Sequence, residues 1–186
     1  MLHMEQKLYN YDAILNLLKG SNHLRKIAKD LKTNHMTVKR ALDILIKENA
    51  LDVRKEGKNN MYSIKKTLEA QNFVFMAEIY KFNSLIKKHP ELKQDFKKLK
   101  KLPADIIAIF GSYAKWAETD ESDIDIYIET QSDKIKREVS KINKKFSVKT
   151  GAYAKDNLLI KEIEKNHIIV KGVELFYEKN KFFDQD

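Results

Sequence analysis

Apolar residues recur along this chain with two periods, and the places where the period changes mark out its elements. Between residues 11 and 19, Ile14, Leu15, Leu17 and Leu18 cluster at helical spacing and the run closes on Gly20, predicting a first helix. Ser21 or Asn22 can cap a second, in which Leu24, Ile27, Ala28 and Leu31 follow i, i+3, i+4, i+7 up to about Lys32. After Thr33 and Asn34 the stripe returns as Val38, Ala41, Leu42, Leu45 and Ile46, a third helix to about Glu48. Its other face shows His35, Thr37, Lys39, Arg40 and Asp43. Then the period drops to two. Leu51 and Val53, a polar tip over 55–60, and Tyr62 and Ile64 predict a β-hairpin. From 67 to 87 a long helix places Phe75, Ile79, Phe82 and Ile86 on one face, with Phe73, Val74, Met76 and Leu85 beside them. So apolar a helix must pack, either by docking two halves of the chain or as the seam of a homodimer. Pro90 opens a further helix through Leu92, Phe96 and Leu99, ending before Pro103.

Beyond Pro103 the short β-branched run over 105–110 predicts a buried strand that ends on Gly111 and Ser112, followed by a short helix over 113–117. A second strand over 124–129 alternates Ile124, Ile126 and Ile128 with Asp123, Asp125 and Tyr127, so the isoleucines share one face and both aspartates the other. Ile135, Val139 and Ile142 predict a helix over 132–144, 146–149 a third strand, and 156–166 another helix. Residues 173–177 fit either a closing strand or a helix continuation. His167, beside an apolar run, reads as a capping or packing residue, while Tyr113 and Trp116 suit either stacking on a base or the core. The fold class expected is α/β.

Charge sharpens the division. The 186 residues carry a net +9, but residues 1–66 hold 14 Lys/Arg against 7 Asp/Glu and the remainder 22 against 20. A basic N-terminal module facing nucleic acid, joined to a nearly balanced one, is the arrangement this suggests. Seven lysines against two acids over 87–101 read as a solvated helix face or an extension of that track. With no cysteine, disulfides and thiolate metal sites are excluded, and a reducing cytoplasm is the expected compartment. No secretion signal and no apolar run of bilayer length are read, so no membrane partner is expected.

Candidate chemistry concentrates over 106–129. Gly111 allows close backbone approach, and a turn opening a helix aims free N–H groups at an anion, which suits a phosphate at Gly111 and Ser112. Asp123 and Asp125 converge at one strand end, where like charges need neutralising; Mg²⁺ commonly binds one or two carboxylates together with substrate phosphates. A phosphate cradle beside a metal cradle points to phosphoryl or nucleotidyl transfer.

Gly111-Ser112, ten intervening residues and Asp123-Ile124-Asp125 between apolar runs resemble the signature of the DNA polymerase β-like nucleotidyltransferase superfamily, in particular its small archaeal and bacterial members. The terminal HIIVKGVELFY is similar to the end of those proteins. The resemblance implies that Gly111 and Ser112 hold a triphosphate, with ATP the favoured donor, and that Asp123 and Asp125 bind Mg²⁺ and carry catalysis. An acceptor hydroxyl then attacks the α-phosphorus. The acceptor is left open among a partner protein, a nucleic-acid end and a small molecule. Superfamily members usually add a third carboxylate on the next strand, where this chain has Ser147, so slow transfer is expected unless Asp156, a partner or another acid supplies the group. Residues from about Asn10 to Lys65, with IAKDLKTNHMTVKRALDIL, resemble a winged helix-turn-helix. That resemblance implies duplex DNA binding through His35, Thr37, Lys39 and Arg40, with Arg54, Lys55 and Lys58 on phosphate; protein pairing is the other use of such a fold. Residues 1–66, 67–102 and 103–186 are thus expected as DNA-binding, connecting and transferase segments. The competing reading is a transcriptional regulator whose transferase-like half senses nucleotide or mediates assembly.

Overall fold

The computed structural model describes residues 2–184, with side chains from residue 8 onward. It divides into two compact units, Met1–Tyr80 with Phe183–Asp186, and Lys81–Phe182.

The first unit runs α1 (Leu2–Leu17), β1 (Asn22–His23), α2 (Leu24–Asp30), α3 (His35–Lys47), β2 (Leu51–Glu56), β3 (Asn59–Ile64) and the first part of α4 (Leu68–Lys88). Helix α1 starts well before the predicted residue 11, and β1 is an element that periodicity did not announce. Asn22 and His23 pair with Tyr62 and Met61 of β3, giving a three-stranded antiparallel sheet in the order β1-β3-β2. His23, the last residue of β1, caps α2 in place of Ser21 or Asn22: its Nδ1 accepts from the Lys26 N–H at 3.2 Å. The shift of cap leaves α2 in place. A cap is worth about 1 kcal/mol, whereas each buried Leu or Ile contributes about 1.5–3, and Ile27, Leu42 and Leu45 are fully buried. The unit therefore holds the three helices and the hairpin read from the sequence, with β1 added between the first two helices.

The apolar stripe of α4 differs from the one expected. Ala70, Val74 and Ala77, then Phe82 and Leu85, are buried, whereas Ile79 and Met76 are exposed. Small residues at 70 and 77 let that side of the helix approach closely, and a stripe chosen by residue size alone misses them.

In the second unit α4 ends, a 3-10 turn at Pro90–Leu92 leads into α5 (Lys93–Lys100), and the chain continues as β4 (Ile107–Phe110), α6 (Gly111–Ala114), β5 (Ile124–Glu129), α7 (Asp133–Ser140), β6 (Phe146–Gly151), α8 (Leu158–Lys165), β7 (Ile168–Lys171) and α9 (Val173–Lys179). The sheet is mixed, in the order β6-β5-β4-β7; β5 and β6 are parallel and the other pairs antiparallel. Ile124, Ile126 and Ile128 are fully buried in a core with Phe82, Leu85, Phe96, Leu99, Ile135 and Val139, so α4, α5 and α7 cover that face. Toward the opposite face, Lys179 of α9 reaches Glu129 of β5 at 2.5 Å.

The closing strand lies at Ile168–Lys171, earlier than 173–177, and Val173–Lys179 is helical. Gly172 causes the switch. Its φ is +81°, and a Cβ there would lie 2.1 Å from the Asp105 carbonyl oxygen, so the chain turns at the one residue that can pass so close to β4. His167 packs as expected. It is buried, with Nδ1 2.7 Å from the Ile163 carbonyl and its ring 4.5 Å from that of Phe176.

Candidate functional site

The mixed sheet brings the two halves of the sequence motif into contact. Strand β4 ends at Phe110, whose register partner on β5 is Asp125. Gly111 follows with φ +68°, and a Cβ built on it would sit 2.3 Å from Asp125 Oδ2. Only glycine lets the backbone turn away from β4 with the carboxylate this near. No side chain caps the turn, which leaves its leading N–H groups to a ligand or water. The helix it opens is four residues long. What this turn can give an anion is therefore local N–H and hydroxyl groups, because a single turn sums few peptide dipoles.

Asp123 is exposed just ahead of β5, and Asp125 is half-buried within it. Among the described residues neither carboxylate makes an ion pair or a side-chain hydrogen bond. On the other side of Asp125, its register partner on parallel β6 is Ser147. The position beside the carboxylates thus holds a neutral hydroxyl, and among the described residues no group of three His, Cys, Asp or Glu side chains could hold a metal ion. Two carboxylates with open coordination fit Mg²⁺ carried on phosphate oxygens better than a cage built by protein alone.

Further along β5 the same face closes. Tyr127 is buried, and its hydroxyl donates to the Gly151 carbonyl at 3.0 Å. Burial first, and the charge of Glu129 second, push this hydroxyl well above the usual tyrosine range, so it remains a donor. Glu129 Oε1 accepts from Lys179 Nζ and, at 3.3 Å, from the Tyr153 N–H. The Tyr153 hydroxyl donates to Glu164 at 2.6 Å; burial and then that hydrogen bond raise its pKa too.

Residues 90–181 match the family model described as polymerase beta, nucleotidyltransferase. The C-terminal half is nucleotidyltransferase-like. The match covers just under half of the chain and begins at Pro90, ahead of the expected boundary at 103, so it takes in α5 as well as the sheet. No curated protein and no solved structure matches the chain. No helix among the described residues is long and apolar enough to cross a membrane.

A second cluster, which the sequence did not announce, braces the loop between the turn and the aspartates. The Glu118 side chain is 3% exposed; its Oε1 accepts from Lys88 Nζ and lies 2.8 Å from His89 Nε2. The other His89 nitrogen lies 3.2 Å from Glu91. Burial acts to raise the Glu118 pKa, but the hydrogen bonds from Lys88 and His89 outweigh it and hold the carboxyl below its usual range. Lys145 Nζ donates to the Asp120 carbonyl at 2.6 Å, and Lys115 reaches Glu162 at 3.4 Å. In the sequence Lys88 and His89 are only the end of an apolar helix, since nothing local links them to residue 118.

In the first unit, His35, Lys39 and Arg40 are exposed on α3, and Arg54, Lys55 and Lys58 on the hairpin. Thr37 is partly committed elsewhere. Asn34 Oδ1 accepts from both its N–H, at 2.8 Å, and its hydroxyl, at 3.1 Å, as the cap of α3. Lys39 pairs with Asp43 at 2.9 Å, an interaction that raises the lysine's pKa. A polar groove of about 270 Å³ beside the hairpin is lined by His23, Arg25, Lys58 and Asn60 among others. Arg25 and His23 were missed because they join the hairpin only through β1.

Proposed function

We propose that the second unit is a Mg²⁺-dependent nucleotidyltransferase-type module that takes a nucleoside triphosphate, ATP by preference, and that the first unit binds duplex DNA. One observation carries the first part of this reading. Gly111 turns against Asp125 so closely that a methyl group would strike the carboxylate, which sets an uncapped turn beside an acid that makes no ion pair among the described residues. In this reading the Ser112 hydroxyl and the N–H groups of the turn orient the triphosphate, and Asp123 and Asp125 hold Mg²⁺. When bound, that ion neutralises phosphate charge and polarises the α-phosphoryl group. An acceptor hydroxyl gives up its proton to solvent as its oxygen bonds to the α-phosphorus, the bond to the β-phosphate oxygen breaks, and pyrophosphate leaves.

Ser147 favours a second reading, in which the module binds nucleotide but transfers it slowly and serves a DNA-bound regulator as a sensor. A hydroxyl has neither the charge nor the basicity of the carboxylate that the superfamily usually places there. Incubation with ATP labelled on the α-phosphate, with Mg²⁺, alone and with duplex DNA or cell protein, separates the two. Label retained on an acceptor, and lost in Asp123→Asn, supports transfer; Mg²⁺-dependent retention of free ATP alone supports the sensor. Absence of any Mg²⁺-dependent binding overturns both.

DNA binding is supported by the exposed cations of α3 and the hairpin together with the element order of the unit. In the full chain, Arg40→Ala should weaken duplex binding and lower the slope of log affinity against log salt by about 0.9 for each phosphate that is no longer neutralised. Unchanged affinity at every salt concentration would point to protein pairing. The acceptor in transfer is an RNA or DNA end, a partner-protein hydroxyl or a small molecule. A homodimer through α4, which exposes Leu68, Met76 and Ile79, belongs to the same proposal.

A further inference from the structure

Trp116 stands where the backbone calls for glycine. Helix α6 ends in a Schellman turn, in which the Trp116 N–H donates to the Tyr113 carbonyl at 3.2 Å and the Ala117 N–H to the Ser112 carbonyl at 3.1 Å. The residue between, Trp116, lies in the left-handed region at φ +56°. Glycine adopts that conformation without steric cost and a bulky side chain does not. Burial does not repay the strain, since Trp116 is 40% exposed. Tyr113, the other aromatic of the turn, is buried with its ring 5.2 Å from that of His89.

The indole's surroundings are charged and fixed. Lys88 Nζ lies 5.7 Å from its ring centroid, and Lys88 is itself held by the buried Glu118 carboxylate, which also meets His89. An exposed aromatic surface, beside an anchored cation, is thus carried on a turn hydrogen-bonded back to Ser112.

We propose that Trp116 is a stacking platform for a nucleobase, either that of the nucleotide held at Gly111 and Ser112 or that of a single-stranded acceptor. This rests on the nucleotidyltransferase-type reading of the turn. A base suits the place because every base offers a π face to an indole, while its phosphates suit the neighbouring cation.

Trp116 is the chain's single tryptophan, so its fluorescence reports on this position alone. The full chain is titrated with MgATP, with inorganic tripolyphosphate and Mg²⁺, and with a short single-stranded oligonucleotide, while equilibrium dialysis of labelled ATP measures binding independently. Quenching by ATP but not by tripolyphosphate assigns the platform to the donor base; quenching by the oligonucleotide alone assigns it to an acceptor base. Trp116→Gly should weaken binding of the quenching ligand by roughly 5- to 150-fold, the range expected for one stacked base, and raise or leave unchanged the melting temperature. Trp116→Phe should restore most of the affinity. Loss of affinity without loss of stability is a pairing that a merely structural tryptophan would not produce. If ATP binds by dialysis with no fluorescence change from either base-bearing ligand, and Trp116→Gly binds it equally well, the platform is wrong while the nucleotide site stands. If neither ligand binds at all, both fail.

Discussion

The two ends of β5 treat the same kind of charge in opposite ways. At its start Asp123 and Asp125 carry no ion pair among the described residues, and Asp125 faces a glycine turn on one neighbour and a serine on the other. At its finish Glu129 is met by Lys179 of α9 and by the Tyr153 N–H, beside a buried tyrosine that stays protonated. A carboxylate that belongs to the fold brings its counter-charge from the same chain, because an uncompensated buried charge costs several kcal/mol. A pair left uncompensated at an open end is available to a cation from outside.

Substitution at each end should therefore give opposite results, and the largest effect on nucleotide binding is expected here. Asp125→Asn should abolish Mg²⁺-dependent ATP binding, with a melting temperature unchanged or raised, since one of two like charges is removed. Glu129→Gln should leave that binding intact and destabilise the unit by about 1–3 kcal/mol, because Lys179 loses its partner. Thermal melts with and without MgATP measure both. An Asp125→Asn protein that still shifts with MgATP would erase the contrast.

The two strained glycines sharpen it. At Gly172 a methyl group would meet the backbone carbonyl oxygen of Asp105, just ahead of β4, and a backbone oxygen cannot swing aside as a side-chain tip can. Gly172→Ala should cost about 3 kcal/mol or more. At Gly111 the obstacle is the tip of the Asp125 side chain, which can rotate away. Gly111→Ala should cost only the left-handed backbone, about 1–2 kcal/mol, yet lose nucleotide binding because the carboxylate is pushed aside. Chemical denaturation and labelled-ATP dialysis on both variants give the two numbers. Equal losses of binding would mean that Gly111, like Gly172, serves the fold alone.

What could be read before folding follows the reach of each signal. Periodicity placed α3, the hairpin, β5 and the isoleucine face closely, because each is a local repeat with a buried side. Gly111-Ser112 and Asp123-Ile124-Asp125 could be paired from spacing, and the register now sets Asp125 beside Phe110 and Ser147. Long-range contacts were not legible. Two residues at Asn22–His23 become a strand only when β3 is present to pair with them. Glu118 looked like one acid among several in a polar connection until Lys88 and His89, some thirty residues earlier, were brought to it. The choice between strand and helix over 173–177 stayed open because the steric demand at Gly172, where strand gives way to helix, comes from Asp105, far away in sequence.

That Glu118 cluster supplies a third charge state to compare, with a smaller effect. Its carboxyl is held below the usual range, so its contribution to stability is fully present above the ordinary glutamate pKa and is lost as pH falls through the depressed folded value. Wild type should therefore lose stability on acidification to below the usual carboxylate range more steeply than Glu118→Gln, which cannot ionise. Melts across that range decide the matter; parallel profiles would mean that Lys88 and His89 contribute nothing to the carboxylate's ionised state.

The finest adjustment to the comparison is at Ser147, the register partner of Asp125 on β6. Asp placed there adds a third carboxylate to the end of the sheet where Asp123 and Asp125 make no ion pair among the described residues. In the metal-free protein it should lower stability slightly, by about 0.5 kcal/mol, since like charges directly across strands repel. With Mg²⁺ the sign should reverse, because three hard oxygen ligands neutralise more of the ion's charge than two. The gain should be largest for metal without nucleotide, where the protein must supply all the anionic ligands, and smaller with MgATP, where phosphate oxygens already contribute. Any transfer rate should rise as well, because the added carboxylate can take the proton of an acceptor hydroxyl. Metal titration of Ser147→Asp with and without ATP, together with labelled-transfer rates, tests all three. A fast wild-type transfer that Ser147→Asp leaves unchanged would show that β6 is not where this site completes its charge.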